Sequence, residues 1–291
     1  MKKIIIALLF AAPFLAASQK TDKKLQAKIS ETIKGFNGDI GIFVKNLRTG
    51  KTVSINADSI FPTASIVKVP ILLGIMDKIE KGELQYMQPL IYKDSLLYEG
   101  EDILGSFKNN EKIFLHKVLM LMLTTSDNTA SLWLQSLAGT GKRINKILDS
   151  MGFANTRVNS RTEGRKEDWK QYGWGQTTPT EMARLFEMIY LYKVISPSSS
   201  ERMMRVLSRN FWDAEGLSQI PPTIEVFSKN GAVDASRSEV MLVNAKHNPY
   251  ILSIFTKNNK NESWNETNEA WMLTRRVSKM VWEWFEGNQS N

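Results

Sequence analysis

A serine and a lysine three residues apart, Ser65 and Lys68, are the first candidates for covalent chemistry in this chain. On a helix this spacing puts both side chains on one face, one turn from each other. A serine hydroxyl becomes an effective nucleophile when a base takes its proton, and a lysine can be that base when a shielded site lowers its pKa. The pair therefore predicts acyl transfer, although an N-capping serine beside an exposed lysine would have the same spacing.

Two further motifs follow along the chain, each in a setting that suits such a site. Ser126-Asp127-Asn128 lies at a predicted break between two helices. There a second serine could relay protons, and an asparagine could both donate and accept hydrogen bonds. Lys229-Asn230-Gly231-Ala232 lies on a predicted strand, where the glycine lets a ligand approach the backbone closely. Capping residues and an ordinary edge strand would explain each motif alone, but the three motifs together are far more specific.

The elements that must position these motifs form a two-part pattern. Apolar periodicity predicts a helix over residues 21–35 and a hairpin over residues 40–55, then a mainly helical block, then strands and a final helix over residues 269–285. The predicted fold class is α/β of the α+β type, an antiparallel sheet flanked by N- and C-terminal helices with an inserted all-α subdomain. We expect the sheet subdomain to comprise residues 19–60 and 206–291, and the helical subdomain residues 61–205.

The first 18 residues are typical of an export signal. Lys2 and Lys3 precede a short apolar stretch, and small residues at positions 16–18 predict cleavage before Gln19. The apolar stretch is shorter than the roughly 20 residues that span a bilayer. We therefore expect an exported protein, periplasmic or secreted, with no stable membrane insertion after cleavage.

Composition argues against several other chemistries. The 291 residues include no cysteine, which excludes disulfides and thiolate chemistry, and only two histidines, which argues against a histidine-rich zinc site. We expect neither a metal nor an organic cofactor. The formal charge of +8 could indicate nucleic-acid binding. The basic residues are scattered among acidic ones, however, so we expect no nucleic-acid partner.

Taken together, the motifs resemble the signature of the penicillin-recognising serine enzymes, and residues 123–130 are similar to its class A β-lactamase form. The resemblance extends over nearly all of the chain after the leader. It implies a β-lactamase/transpeptidase-like fold, monomeric as is usual for the family. It also implies a serine β-lactamase whose small-molecule substrates are β-lactam antibiotics.

The resemblance also implies a role for each motif residue. Ser65 would attack the lactam carbonyl, Lys68 or Glu163 through a water would take the serine proton, and Ser126 would protonate the leaving nitrogen. Glu163, in a long loop over residues 159–178, would activate the water that hydrolyses the acyl-enzyme. Backbone N–H groups of Ser65 and Ala232 would stabilise the oxyanion. The implied substrate-binding residues are Asn128, which would hold the side-chain amide, Lys229 and Arg237, which would attract the carboxylate, and Asn230, Gly231 and Ala232.

Three departures from the pattern leave other functions open. Asn230 stands where the family usually has serine or threonine, Gly164 where proline is common, and Glu167 where asparagine is usual. Asn230 bears on binding of the substrate carboxylate, and Gly164 and Glu167 bear on the rate of deacylation. The alternatives are a D-alanyl-D-alanine peptidase or esterase with the same serine chemistry, and a covalent sensor of wall peptides or β-lactams that stays acylated.

Overall fold

The computed structural model describes residues 20–98, 102–208 and 210–287. The predicted export signal lies outside these residues. The strands of the described chain are β1 (Asp39–Asn46), β2 (Thr52–Ile55), β3 (Phe61–Pro62), β4 (Pro89–Ile91), β5 (Lys112–Phe114), β6 (Arg157–Val158), β7 (Gly175–Thr177), β8 (Val226–Val233), β9 (Ser236–Val243) and β10 (Tyr250–Lys257). The α-helices are α1 (Lys23–Thr32), α2 (Lys68–Glu80), α3 (Leu115–Thr124), α4 (Asn128–Leu137), α5 (Thr140–Ser150), α6 (Lys166–Tyr172), α7 (Pro179–Tyr190), α8 (Pro197–Leu207) and α9 (Glu269–Glu286).

Five of these strands form one antiparallel sheet in the order β2-β1-β10-β9-β8. β1 pairs with β10 over its whole length, from Asp39 opposite Lys257 to Asn46 opposite Tyr250. β10 pairs with β9, and β9 with β8. The sheet therefore joins the two ends of the described chain, and the helical block is inserted between its second and third strands in sequence.

Both faces of the sheet are buried, each by a different set of helices. α1 and α9 cover one face through apolar side chains four residues apart, Leu25 with Ile29 and Val277 with Val281. α7 covers the other face and contacts β1 and β10. The apolar side chains of α2, α3 and α4 continue this second core into the helical block. The nucleophile motif at the start of α2 is thus wedged between the sheet and the helices.

The sequence predicts an all-α inserted block, but the observed block also contains short strands. Helix α3 begins only at Leu115, because residues 112–114 pair with β4 as strand β5. The predicted loop over residues 159–178 contains helix α6 and strand β7. Glu167 and Asp168 in the first turn of α6 favour that helix through its dipole.

Neither a membrane span nor a metal cluster is found in the part of the chain that the structure describes. None of the helices there is long and apolar enough to cross a bilayer. No group of three or more acidic or histidine side chains among the described residues is placed to hold a metal ion.

Candidate active site

Ser65 lies on a 3-10 turn, Ala64–Val67, that runs directly into α2. In a 3-10 turn residues three apart eclipse each other, so Lys68, the first residue of α2, lies over Ser65. The Lys68 Nζ is 2.9 Å from the Ser65 Oγ. Ala64, just before the serine, has a φ of +43°, a conformation that non-glycine residues rarely adopt and that is often found at functional sites.

Lys68 is fully buried, and its amine is surrounded by oxygen atoms. Besides Ser65 Oγ, the Nζ contacts the Ser126 carbonyl oxygen at 2.7 Å, the Ser126 Oγ at 3.0 Å and the Asn128 Oδ1 at 2.8 Å. A neutral amine has two N–H donors and one lone pair. The carbonyl and the amide oxygen can only accept, so they take both donors. The lone pair is then left for the two hydroxyls, which is the arrangement a base needs.

The electrostatics of the pocket favour that neutral form. Burial lowers the pKa of Lys68 to about 7, and the carboxylates of Asp102 and Asp127 oppose this shift. An ammonium ion loses hydration when it is buried, which disfavours the charged form. Near neutral pH a substantial fraction of Lys68 can therefore accept the Ser65 proton.

The second motif joins α3 to α4. Asp127 caps α4, because its carboxylate accepts hydrogen bonds from the backbone N–H groups of Ala130 at 2.7 Å and Leu104 at 2.8 Å. Ser126 has a φ of +62°, and its carbonyl and hydroxyl both reach Lys68. The cap also positions Ser126, because it fixes the turn that brings Ser126 to the Lys68 amine.

Strand β8 passes very close to the nucleophile turn, and Gly231 is the point of closest approach. A Cβ at position 231 would lie 2.5 Å from the Thr63 carbonyl oxygen and 2.9 Å from the Ser65 backbone nitrogen. Only glycine permits this approach without a shift of the backbone. Ala232, the next residue, lines the cleft together with Ser65, as the predicted oxyanion pair requires.

Lys229 lies behind the cleft wall. It is fully buried, and its Nζ donates to the carbonyl oxygen of Asn230 at 3.0 Å and to the Asn230 Oδ1 at 3.2 Å. Burial, and after it the charge of Lys68, lowers the pKa of Lys229 well below its usual value. The Asn230 Oδ1 also accepts a hydrogen bond from the Asn210 Nδ2. The amide of Asn230 is thus held by two neighbours and faces the cleft.

The cleft has two arms that meet at Ser65. The first, which we call the Tyr98 arm, has a volume of about 460 Å³ and is lined by Tyr98, Asn128, Tyr172 and Trp174 among others. The second, the Trp212 arm, has a volume of about 630 Å³, and Ser126, Asn230 and Gly231 line its inner end. Ser65 and Ala232 belong to both arms. A substrate attacked by Ser65 would therefore extend in two directions.

The structure does not bring Glu163 to Ser65, contrary to the prediction of a carboxylate in a shielded cleft. Its side chain is 81% exposed and forms an ion pair with Lys142 at 2.9 Å. Lys142 lowers the pKa of Glu163, so the carboxylate is ionised in solvent. It lines a separate groove with Thr162 and Trp169. Glu167 pairs with Lys170 and is equally exposed.

Arg237 also departs from its predicted place. It lines neither arm, is 1% exposed, and donates to backbone carbonyls that include those of Asp234 and Ser236. Its guanidinium lies over the rings of Trp264 and Trp271, at 4.3 and 4.8 Å from their centroids. The guanidinium is therefore engaged inside the protein and does not face a substrate carboxylate in this structure.

Several residues of the site carry no motif in the sequence. Asp102 accepts hydrogen bonds from the backbone N–H groups of Asn128 and Thr129, at 3.0 and 2.7 Å, and so holds the second motif in place. Arg165 anchors the loop that carries Glu163 by donating to Asn159 and Gln176. No local pattern marks these residues, because their partners are distant in sequence or in a loop without periodicity.

The chain is similar over most of its length to proteins of known family and structure. A model of the beta-lactamase enzyme family matches residues 24–285. The β-lactamase VEB-1 of Pseudomonas aeruginosa is 25% identical over 98% of each chain. A PBP-A mutant solved as an acyl-enzyme complex with penicillin G is 24% identical, with a TM-score of 0.81 over 92% of this chain and 98% of that one. A β-lactamase structure from Chitinophaga pinensis has a TM-score of 0.80 at 20% identity, over 89% of this chain and 98% of that one. The two structures confirm the predicted fold class.

Proposed function

The chain belongs to the beta-lactamase enzyme family, and from that premise we propose that it hydrolyses β-lactams through an acyl-enzyme on Ser65. The observation that carries the proposal is the buried Lys68 amine, 2.9 Å from the Ser65 Oγ and lowered in pKa to about 7. A serine with such a base beside it is an activated nucleophile. The same contact would be unnecessary in a protein that only binds its ligand.

Acylation follows from the contacts of Lys68. Its two N–H bonds are taken by acceptors, so its lone pair receives the Ser65 proton as the Oγ bonds to the lactam carbonyl carbon. The backbone N–H groups of Ser65 and Ala232 stabilise the resulting oxyanion, and each donor of this kind is typically worth about 2.7–4 kcal/mol. The C–N bond of the ring then breaks, and Ser126 donates its hydroxyl proton to the leaving nitrogen. Ser126 is reprotonated by the Lys68 ammonium, which its Oγ contacts at 3.0 Å, so Lys68 returns to its neutral form.

The two arms assign the two halves of the substrate. Asn128 lines the Tyr98 arm, so the acylamino side chain of the β-lactam lies there, with the aromatic rings of Tyr98 and Trp174 beside it. Asn230 and Ser126 line the Trp212 arm, so the second ring and its carboxylate lie there. Asn230 supplies an amide donor to the carboxylate in place of a cationic side chain.

Deacylation is the step for which Glu163 is needed. We propose that Glu163 activates the hydrolytic water after it leaves Lys142 and the loop over residues 159–178 closes on the cleft. An ion pair this exposed contributes little to stability, because both charges remain hydrated. The movement is therefore opposed mainly by the anchoring of the loop through Arg165.

A second candidate function is favoured by the same placement of Glu163. If the carboxylate stays on Lys142, the acyl-enzyme lacks its base and persists. The protein would then act as a covalent sensor, or as a peptidase or esterase that releases wall-peptide acyl groups but stays acylated by β-lactams. Both candidates share acylation of Ser65 and differ only in the fate of the adduct.

The deciding experiment follows hydrolysis of a chromogenic cephalosporin by the wild-type protein and by Ser65→Ala, Glu163→Gln and Glu167→Gln. Glu167→Gln is the matched control, since it also removes an exposed, lysine-paired carboxylate from the same loop. We expect sustained turnover by wild type and control, none by Ser65→Ala, and an acyl adduct trapped in Glu163→Gln by intact-protein mass spectrometry. A single stoichiometric burst in the wild type would favour the second candidate, and no adduct at all would overturn both.

Export and a monomeric state are further parts of the proposal. Cleavage before Gln19 would be checked by N-terminal sequencing of protein recovered from outside the cytoplasm. Light scattering would check the oligomeric state. A cytoplasmic, uncleaved product would contradict export, and a stable dimer would contradict the monomeric state.

A further inference from the structure

The Trp212 arm has an unusual lining for a site that is expected to receive a carboxylate. Asp213, Glu215 and Glu239 line it, and no lysine or arginine among residues 20–98, 102–208 and 210–287 does so. Phe211, Trp212, Trp264 and Trp271 form its aromatic walls. Carboxylates together with electron-rich ring faces form the chemical environment that binds organic cations.

The basic residues nearest to this arm are occupied elsewhere. Arg237 is buried and donates to backbone carbonyls, and Lys229 donates to Asn230 from behind the wall. Arg275 pairs with Glu215 at 2.9 Å and so neutralises that carboxylate alone. Asp213 has no ion-pair partner among the described residues and is the arm's unpaired carboxylate. Burial raises the pKa of Glu239 to about 7, so this side chain is only partly ionised near neutral pH.

The aromatic walls are held in fixed orientations. The Trp212 Nε1 donates to the Thr125 carbonyl oxygen at 2.8 Å, and the Trp264 Nε1 donates to the Asp234 Oδ1 at 3.0 Å. Both rings are still more than half exposed. Arg237 already lies over Trp264 and Trp271, so these rings demonstrably take a cation on one side. A pre-positioned ring loses little entropy when a ligand stacks on it.

Glu239 extends the acidic wall to the substrate-binding strand. It lies opposite Asn230 in the register of β8 and β9, is 2% exposed, and accepts a hydrogen bond from the Gly216 backbone N–H at 2.7 Å. Its burial is supported by that backbone hydrogen bond and by partial protonation, since burial raises the pKa of Glu239 to about 7. It sits where a positively charged group of a ligand would be drawn toward the Ser65 end of the arm.

We infer that the Trp212 arm is a subsite for an organic cation, a quaternary ammonium or pyridinium group carried on the leaving-nitrogen side of the substrate. The assignment of that side rests on the proposed function, because it follows from the role of Ser126. A cephalosporin with a pyridinium substituent on its six-membered ring is the substrate of this class that fits the arm.

The catalytic test uses two cephalosporins with the same thienylacetyl side chain, one carrying a pyridiniummethyl and the other an acetoxymethyl group. We expect wild-type kcat/KM to favour the cationic compound, and Trp212→Leu or Asp213→Asn to lower that preference by roughly 3- to 10-fold. Phe114→Leu and Asp58→Asn are matched controls, since they remove an exposed ring and an exposed carboxylate outside the cleft. An unchanged preference in both arm variants would overturn the inference.

A binding test separates this inference from the proposed function. Choline and its neutral isostere 3,3-dimethylbutan-1-ol would be titrated into Ser65→Ala while tryptophan fluorescence is followed. We expect choline to bind at least about 3-fold more tightly, and Trp212→Leu in the same background to remove the difference. If Ser65→Ala binds choline selectively but the wild type forms no acyl adduct, the cation subsite is retained and the proposed reaction is rejected. Equal binding of the two probes would reject the subsite whatever the reaction.

Discussion

The nucleophile turn and the loop that carries Glu163 are built in opposite ways. Around Ser65, the base Lys68 is fully buried and contacts oxygens from two separate segments of the chain. In the loop, Glu163 is 81% exposed and has one partner, Lys142, that is itself 63% exposed. Packing fixes the position of Lys68, whereas a hydrated ion pair holds the Glu163 side chain and Arg165 anchors its loop.

The contrast separates the two halves of the proposed reaction. Acylation uses groups that are already in contact, so its rate depends on the chemistry of preorganised atoms. Deacylation uses a carboxylate that has to move, so its rate depends on a loop equilibrium. Changes near Ser65 should therefore have large effects on acylation, and changes near Glu163 smaller effects on the lifetime of the adduct.

The largest expected effect comes from removing the base. Lys68→Met keeps the length and burial of the side chain but has no lone pair for the Ser65 proton. We expect the acylation rate to fall by roughly 10²- to 10⁴-fold, measured by stopped-flow with a chromogenic cephalosporin. The thermal unfolding midpoint serves as the control for folding. Acylation within tenfold of wild type would show that another group is the base.

The next effect comes from disturbing the approach of β8 to the nucleophile. Gly231→Ala places a methyl group 2.5 Å from the Thr63 carbonyl oxygen, so the strand has to move away from Ser65. We expect acylation to slow by about 100-fold, the effect typical of a small misplacement of reacting groups. Ser54→Ala, at an exposed position on β2 at the opposite edge of the same sheet, should leave the rate unchanged. Equal rates in the two variants would contradict the proposed oxyanion pair.

A smaller effect, an increase in rate instead of a decrease, tests the loop that carries Glu163. Lys142→Met removes the partner that holds Glu163 in solvent, so more molecules should have Glu163 free to reach the acyl-enzyme. We expect deacylation to accelerate by roughly 2- to 5-fold, in keeping with the weakness of exposed ion pairs. Lys170→Met frees Glu167 in the same way and should change nothing. A slower deacylation in Lys142→Met would mean that the ion pair itself supports the reaction.

The smallest effect is a shift of the pH profile. Only neutral Lys68 accepts a proton, so the acylation rate should rise as the pH increases through about 7 and level off above it. Asp102 favours the charged lysine, hence Asp102→Asn should lower the pKa of Lys68 and move this limb to lower pH. Rates measured from pH 5 to 9 would show it. If the rising part of the pH profile stays at the same pH in Asp102→Asn, the group that titrates there is not Lys68.

The sequence predicted the elements whose periodicity is strong and missed those that depend on distant partners. The strands of the sheet and the final helix alternate or repeat clearly, and the predicted strand and helix positions agree with β1, β10 and α9. Strand β5 could not be predicted, because Ile113 is its only buried residue and its identity as a strand comes from pairing with β4. Helix α6 has no buried residue and hence no apolar stripe.

The site shows the same division. The spacing of Ser65 and Lys68 predicted their contact, but the burial that lowers the lysine pKa comes from the packing of other segments around it. The resemblance to the family implied that Arg237 lies in the cleft. The short turn between β8 and β9 instead puts Arg237 opposite Ala232 and Glu239 opposite Asn230. A hairpin register of this kind is set by turn length, which motif spacing does not reveal.

The pairing of β1 with β10 has a consequence for how the protein is made. The two strands are separated by roughly 200 residues, so the loop that their pairing closes is long and the contact order is high. During synthesis β1 has no partner on that edge until residues 250–257 have emerged from the ribosome. The long-lived intermediate would expose an unpaired strand, a feature that favours aggregation. The five-stranded sheet therefore cannot close until β10, the last of its strands along the chain, has been synthesised.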